Sequence, residues 1–399
     1  MSRSYLDHAA TSPVLPEVIE VMSAQMMRVG NASSLHTAGR SARRVVEESR
    51  ECIADDLGIR PSEVLFTSGG TESDNAAIKG TLWKALQSDP RRRRLLVSSI
   101  EHHAVLDAVE YLVTSGQADI TWLEPDSEGV IQPSELRVAL EGRAAEVALI
   151  SVMWANNEVG TIQPVAELAA IAREAGIPFH TDAVQALGQV DLGLAQVRPD
   201  LVTMTGHKIG GPLGIGLLIA ARDQSPVPLT HGGGQERQIR SGTLDVPGIA
   251  GLAAAVRHVT QRQEAHAQEL AQLRDALIVG AQRQDSTIEV SGYWHPGDVT
   301  RRLAGNAHLR VPGCEGDSLL YLLDAAGVEC STGSACQAGV PQPSHVLLAM
   351  GVPEADARGA LRLTLGHTST MSDVEALLAA LPAATERARR AHQVSTGRN

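Results

Sequence analysis

Between about residue 62 and residue 220 the sequence repeats one pattern: a short apolar run, a polar or glycine-containing break, then an amphipathic stretch. The runs at 64–67, 95–99, 120–123, 147–152, 177–180, 201–205 and 214–220 have strand length. Several are apolar throughout, as strands covered on both faces are. Between them, stretches 72–86, 104–113 and 165–175 carry apolar residues at helical spacing. Such alternation requires right-handed crossovers, so an α/β fold is expected: a mostly parallel, seven-stranded sheet between helices. Ligands gather beyond the carboxyl ends of strands in such sheets, so the residues directly after each run are where chemistry is to be sought.

The pattern changes near residue 246. A long helical stretch (247–284) leads into short apolar runs, a helix at 317–326 and a last helix from about 372 to 390. This second part reads as a smaller α+β domain. The boundaries that follow are 15–246 for the large domain and 1–14 plus 247–399 for the small one, with the arm before the first helix (16–29) packing near it. At 399 residues, 43% hydrophobic and 20% charged, the chain suits a soluble globular protein and excludes a disordered or collagen-like one. A net charge of −12 with 3% aromatics argues against a nucleic-acid surface, and the arginines 91–94 read as a solvated loop. Cys52, Cys314, Cys330 and Cys336 are far apart and form no C-x-x-C pair. No apolar run is long enough to span a bilayer and the start lacks an apolar leader core, so a cytoplasmic location without membrane contact is expected.

The strand ends carry a distinctive series. After 64–67 comes Ser68-Gly69-Gly70-Thr71, a small turn opening a helix; free N–H groups there suit a phosphate, although glycine before a helix is commonly only a turn. Neither a P-loop lysine nor a G-x-G-x-x-G follows a strand. Glu101-His102-His103, Trp154-Ala155-Asn156-Asn157-Glu158 and Asp182-Ala183-Val184-Gln185 follow the next runs, and an acid such as Asp182 at a buried strand end needs a cation. Gly206-His207-Lys208 follows 201–205. Of 34 basic residues three are lysines, and Lys79 and Lys84 fall on a helix, which leaves Lys208 as the lysine among glycines at a strand end. Thr71, Asp182 and Lys208 together offer a phosphate cradle, an acid for a pyridinium nitrogen and an amine for an aldehyde, the set that pyridoxal 5'-phosphate (PLP) needs. Cys336 lies in Cys330-Ser331-Thr332-Gly333-Ser334-Ala335-Cys336-Gln337-Ala338-Gly339, where small residues build no core. It reads equally as a nucleophile on a mobile loop (331–341) and as packing, whereas Cys330, closing an apolar run, reads as packing. Arg362, in a strand-like run, needs an anion: a substrate carboxylate or an internal ion pair.

These residues resemble the PLP-dependent cysteine desulfurases of the NifS/IscS type, in aminotransferase class V and PLP fold type I. The resemblance runs nearly end to end. It passes through Tyr5-Leu6-Asp7, Gly30-Asn31, Thr67-Ser68-Gly69-Gly70-Thr71-Glu72-Ser73-Asp74-Asn75, Glu101-His102, Asn156-Asn157-Glu158, Asp182 with Gln185 and Gly206-His207-Lys208. It continues in His231-Gly232-Gly233-Gly234-Gln235-Glu236-Arg237, Arg240-Ser241-Gly242-Thr243 and Ser334-Ala335-Cys336. The resemblance implies that Lys208 binds the cofactor and moves the Cα proton, that Asp182 pairs with the ring nitrogen, and that His102 stacks on the ring and assists proton transfer. Asn157 and Gln185 would contact the phenolic oxygen or the substrate. Gly70, Thr71, Thr205 and His207 would hold the phosphate, with Thr243 reaching it from the other subunit of a homodimer. Asn31 and Arg362 would clamp the carboxylate of L-cysteine, and Cys336 would take the sulfur as a persulfide, releasing alanine. A sulfur-acceptor protein, in iron–sulfur cluster assembly or another thiolation pathway, follows as partner. No resident metal is implied beyond Cys336 as a transient iron–sulfur ligand.

Three departures from the family pattern stand out: Gln337 after the cysteine, Thr205 for a serine, and Gly69-Gly70-Thr71 for Gly-Ala-Thr. Other readings of the same residues are selenocysteine lyase, cysteine sulfinate desulfinase or another C–S lyase, and a non-catalytic scaffold in a sulfur-transfer complex.

Overall fold

The structure is a computed structural model and describes residues 3–333 and 342–395. The chain opens with β1 (Ser4–Tyr5), α1 (Pro16–Met26) and α2 (Thr37–Leu57). The repeat follows as β2 (Val64–Thr67), α3 (Gly70–Ser88), β3 (Arg94–Ser98), α4 (His103–Thr114), β4 (Asp119–Leu123) and α5 (Pro133–Leu140). It continues with β5 (Val147–Ser151), α6 (Val165–Glu174), β6 (Phe179–Asp182), α7 (Leu194–Val197), β7 (Leu201–Thr205) and β8 (Gly216–Ala220). Then come α8 (Val246–Gln284), β9 (Glu289–Val290), β10 (Asn306–Arg310), α9 (Gly316–Ala325) and β11 (Val328–Glu329). Last are α10 (His345–Ala349), α11 (Glu354–Ala357), β12 (Ala360–Thr364) and α12 (Met371–Ser395).

Seven strands form one sheet in the order β2-β8-β7-β6-β5-β3-β4. β4, β3, β5, β6 and β7 pair in parallel, and β8 runs antiparallel to both of its neighbours. That reversal needs only the short 206–215 connection, whereas the parallel pairs require crossovers. Side chains alternate between the faces. Val64, Phe66, Leu96, Val202 and Met204 join a core with Val18, Val46, Ile53, Leu168 and Ile249. Leu65, Leu95, Val97 and Leu201 face Ile78, Leu82, Val105 and Leu112 of α3 and α4. The sheet is thus covered on both sides, as its apolar strands require.

A separate core surrounds the antiparallel sheet β12-β10-β9, built from Leu309, Leu361, Leu363, Leu377 and Leu381. The long helix α8 serves both cores, with Ile249, Leu252 and Val256 in the first and Leu270, Leu277 and Ile278 in the second. The N-terminal arm joins the second region: β1 pairs with β11, and Asp7 bridges Thr364.

Three local expectations change. The run expected at 177–180 forms its strand two residues later, because Pro178 has no N–H for the ladder; Asp182 is therefore the last strand residue. Helix α2 carries only a narrow stripe (Val46, Ile53, Ala54) among charges, which hid it in the sequence. It is defined by its ends: His36 Nδ1 accepts the Gly39 N–H, and Gly58 closes it at φ 67°. The arginines are not one solvated loop, since Arg94 opens β3 and bonds Glu146 at 3.3 Å. Among the described residues no helix is long and apolar enough to cross a membrane.

Candidate active site

Strand ends β5, β6 and β7 and the start of α3 surround a cavity of about 250 Å³. Gly70, Thr71, Asp74, His102, Asn157, Asp182, Gln185, Thr205, His207 and Lys208 line it. At one end lies the N-terminus of α3, where no side chain caps the first turn. The helix dipole and open N–H groups make this the anion end. Gly69 adopts φ 152°, outside the range of L side chains, and a Cβ on Gly216 of β8 would sit 2.7 Å from Gly69 Cα. The turn can approach β8 this closely only because both positions are glycine.

Asp182 is buried, and its Oδ1 accepts the Val184 N–H at 2.8 Å. Burial raises its pKa to about 6, against that hydrogen bond and the Lys208 charge. Burial, reinforced by Arg362, draws Lys208 down to about 8, with Asp7 and Asp182 opposing. The Lys208 amine donates to the carbonyls of Ala9 and Ala10, and Gln185 Nε2 donates to the same Ala9 carbonyl at 3.0 Å. Ser12 fastens the arm to this segment by donating its hydroxyl to the Lys208 carbonyl at 3.1 Å. The His102 side chain caps α4, accepting the Ala104 N–H at 3.1 Å. Loss of solvation in the cavity wall, then the Lys208 charge, lowers its pKa to about 4. His207 is drawn to about 4 by burial and Lys208, and its Nδ1 lies 3.2 Å from Thr11 Oγ1.

Arg362 on β12 is buried and forms an internal ion pair with Asp7 at 2.8 Å while donating to the Asn157 carbonyl at 3.2 Å. Among the described residues its Nε has no partner, so one donor remains for another acceptor. Asn31 and Thr243 are exposed and do not line this cavity; Asn31 Oδ1 accepts the Ser33 N–H instead. Cys336 and most of the 331–341 segment lie outside the described residues. The flanks are placed: a Cβ on Gly333 would lie 3.5 Å from the Glu158 side chain and 3.6 Å from Arg362 Cβ, and Ser344 donates its hydroxyl to Glu158. Both ends of the cysteine segment therefore converge on Glu158, immediately after Asn157. Cys330 packs in the second core. Burial raises the thiols of Cys52 and Cys314 to about 11 and that of Cys330 to about 12, so the described cysteines are poor thiolates.

Asp7, Asp74, Glu101 and Glu158 were not singled out as functional in the sequence. Each lay inside a quoted motif, and what marked it was an acid amid residues that the fold buries.

The donor set fits PLP. An uncapped helix N-terminus with hydroxyls suits its phosphate, a buried carboxylate without a lysine or arginine partner suits a ring nitrogen, and a buried amine suits the aldehyde.

Comparison with known proteins agrees with this geometry. The model of the family "Aminotransferase class-V" matches residues 4–377. An "IscS-like cysteine desulfurase" of Mycobacterium tuberculosis is 54% identical over 394 residues, covering 99% of each chain. A solved "NIFS-LIKE PROTEIN" superposes with TM-score 0.85 at 33% identity, covering 96% of this chain and 99% of its own. A structure described as "SspA in complex with cysteine" gives TM-score 0.77 at 34% identity, over 91% and 98% of the two chains.

Proposed function

The chain belongs to the aminotransferase class-V family, and from that premise we propose that it is a PLP-dependent cysteine desulfurase, converting L-cysteine to L-alanine with the sulfur held as a persulfide of Cys336. The observation that carries this is Lys208 and Asp182 facing one cavity at the N-terminus of α3. When bound, PLP supplies an electron sink for the bonds broken at the substrate.

Gly70, Thr71, Thr205 and His207 would hold the phosphate, and Asp182 would pair with the ring nitrogen. Lys208, with a pKa of about 8, exchanges protons near neutral pH, so its amine would hold the cofactor and would serve as the acceptor and donor of the Cα proton. His102 is neutral at that pH, an uncharged ring against the cofactor and a proton acceptor. Asn157 and Gln185 bind the phenolic oxygen or the substrate. Arg362, already oriented by Asp7, would take the substrate carboxylate. The Cys336 thiolate attacks the substrate sulfur: an S–S bond forms, the Cβ–S bond breaks, its electron pair goes to Cβ, and a proton completes alanine. Residues 15–246 would form the cofactor domain, and Thr243 would reach the phosphate of the second subunit in a homodimer. The persulfide passes to an acceptor protein, in iron–sulfur assembly or another thiolation route.

The test measures alanine and protein persulfide from L-cysteine. Cys336→Ala should keep PLP uptake, seen by absorbance, while alanine release falls about a hundredfold or more. Release at the wild-type rate would defeat the persulfide route.

A further inference from the structure

Next to Asp182 lies a group of buried polar side chains that the proposed reaction leaves unused. Asp74, on the second turn of α3, is 1% exposed and lines the same cavity as Asp182 and Lys208. Among the described residues its Oδ1 has no hydrogen-bond partner, and it lies 3.6 Å from His180 Nε2. His180 is itself fully buried, with Nδ1 2.8 Å from Ser151 Oγ and Nε2 3.1 Å from Thr203 Oγ1. Strand register assembles the group: His180 and Asp182 alternate onto one face of β6, and Asp182 pairs with Thr203 of β7. Glu101, also fully buried, approaches from the β3–α4 connection. Its Oε1 accepts the Met153 N–H at 2.6 Å, and its Oε2 is unpartnered.

The charge balance of this wall is restricted. The titratable groups facing it are Asp182 and His180 from β6, Glu101 from the β3–α4 connection, His102 from the start of α4, and Lys208 and His207 after β7. Burial and the Asp182 charge push Asp74 and Glu101 well above the ordinary carboxylate range. Burial draws His180 down to about 3, so it supplies no positive charge. Lys208 is the single lysine or arginine among the described residues lining the cavity, and its amine is bonded to the Ala9 and Ala10 carbonyls. Two neighbouring buried acids without two cations cannot both ionise.

We propose that Asp74 is a positioning residue for the cofactor ring, held as the neutral acid so that Asp74 and Asp182 together carry the single negative charge that a protonated ring nitrogen matches. This rests on the PLP reading above. The Thr203 hydroxyl, on the strand beside Asp182, favours the ionised form of Asp74, but burial and the Asp182 charge outweigh it. The second carboxyl then braces the wall behind the ring without adding a charge that would compete for the same proton.

Two measurements test this. In the wild-type apo-protein, carbon-13 NMR of carboxyl-labelled aspartate, assigned through Asp74→Asn, should show Asp74 as the neutral acid with no titration across roughly pH 6–8. In PLP binding to the apo-proteins, Asp74→Ala should weaken binding several-fold and Asp74→Asn, neutral and of the same shape, should recover most of that loss, while Asp182→Asn weakens binding about tenfold or more. An Asp74 signal ionised at neutral pH overturns the proposal. So does a tenfold loss of PLP affinity in an Asp74→Asn protein whose unfolding midpoint is unchanged. If the wild type itself takes up no PLP, the cofactor reading falls and the proposal falls with it. If the wild type binds and Asp74→Asn does not, the proposal alone falls. Should Asp74→Asn fail to fold, residue-selective labelling of the wild type decides the protonation state.

Discussion

Glu236→Ala should be among the costliest single substitutions outside the cavity. Glu236 is 1% exposed and accepts three hydrogen bonds: Arg50 Nη1 and Nη2 at 2.7 Å each, and the Phe66 N–H at 3.0 Å. Arg50 in turn donates to the Val64 carbonyl at 2.6 Å and lies 4.7 Å over the Phe66 ring. Truncating the acid removes the two-point partner of the buried Arg50 cation, leaving it the Val64 carbonyl and Glu47, and strands the Phe66 N–H, a loss of about 3–5 kcal/mol. For a chain of this length the unfolding entropy is about 0.8 kcal/mol/K, so the thermal midpoint should fall by roughly 4–6 °C. The effect should reach the site, because Phe66 precedes Thr67 and the phosphate turn, and Arg240 from the same segment bonds Glu72 on α3 at 3.0 Å. Urea and thermal unfolding followed by circular dichroism give the stability, and PLP titration gives the site effect. Replacing both charges (Arg50→Met with Glu236→Leu) should recover at least half of the loss, since no stranded charge remains. A Glu236→Ala cost under about 1 kcal/mol, or a double variant as poor as the sum of the singles, would refute the reasoning.

Two further outcomes follow from local geometry. Gly216→Ala would place a Cβ 2.7 Å from Gly69 Cα and 2.8 Å from the Met204 carbonyl oxygen, all backbone, so it should cost about 1–3 kcal/mol in urea unfolding and weaken PLP uptake; wild-type values in both would refute the close-approach argument. His308, fully buried with neither ring nitrogen partnered, has its pKa lowered to about 3 by burial and then by Arg302, Arg362 and Arg310. The unfolded chain binds its proton first as pH falls, so this residue's stability contribution is present above about pH 6.5 and is lost below it, towards about pH 3. His308→Phe should flatten the stability profile by up to about 1.4 kcal/mol per pH unit in that window, read as the variant-minus-wild-type difference at each pH. An unchanged difference would show that the imidazole is already charged in the folded state.

Much of the sheet was legible because its strands are apolar on both faces, a pattern that local sequence expresses without help. Helix α2 was not, because its buried stripe is a few residues wide and its partner, α8, lies some two hundred residues later. The same distance hid the Arg50–Glu236 pair: a lone arginine in a charged stretch and an acid after a glycine run carry no mutual signal in one dimension. Arg362 shows the intermediate case. Its residue type in a strand demanded an anion, and the sequence left an internal pair and a substrate equally open. The fold supplies Asp7 and, among the described residues, still leaves Nε without a partner.

By itself the sequence determined the layered α/β architecture, the small turn that opens a helix, the acid at a strand end and Lys208 as the lysine among glycines after a strand. Each of these is written in local periodicity or in the scarcity of one residue type. Only the tertiary structure decided which groups share a charge environment: the Asp7 arm against Arg362, Ala9 beneath Lys208, and Asp74 and Glu101 beside Asp182. Burial and charge pairing depend on three-dimensional distance and on the exclusion of water, and neither is carried by any single segment of chain.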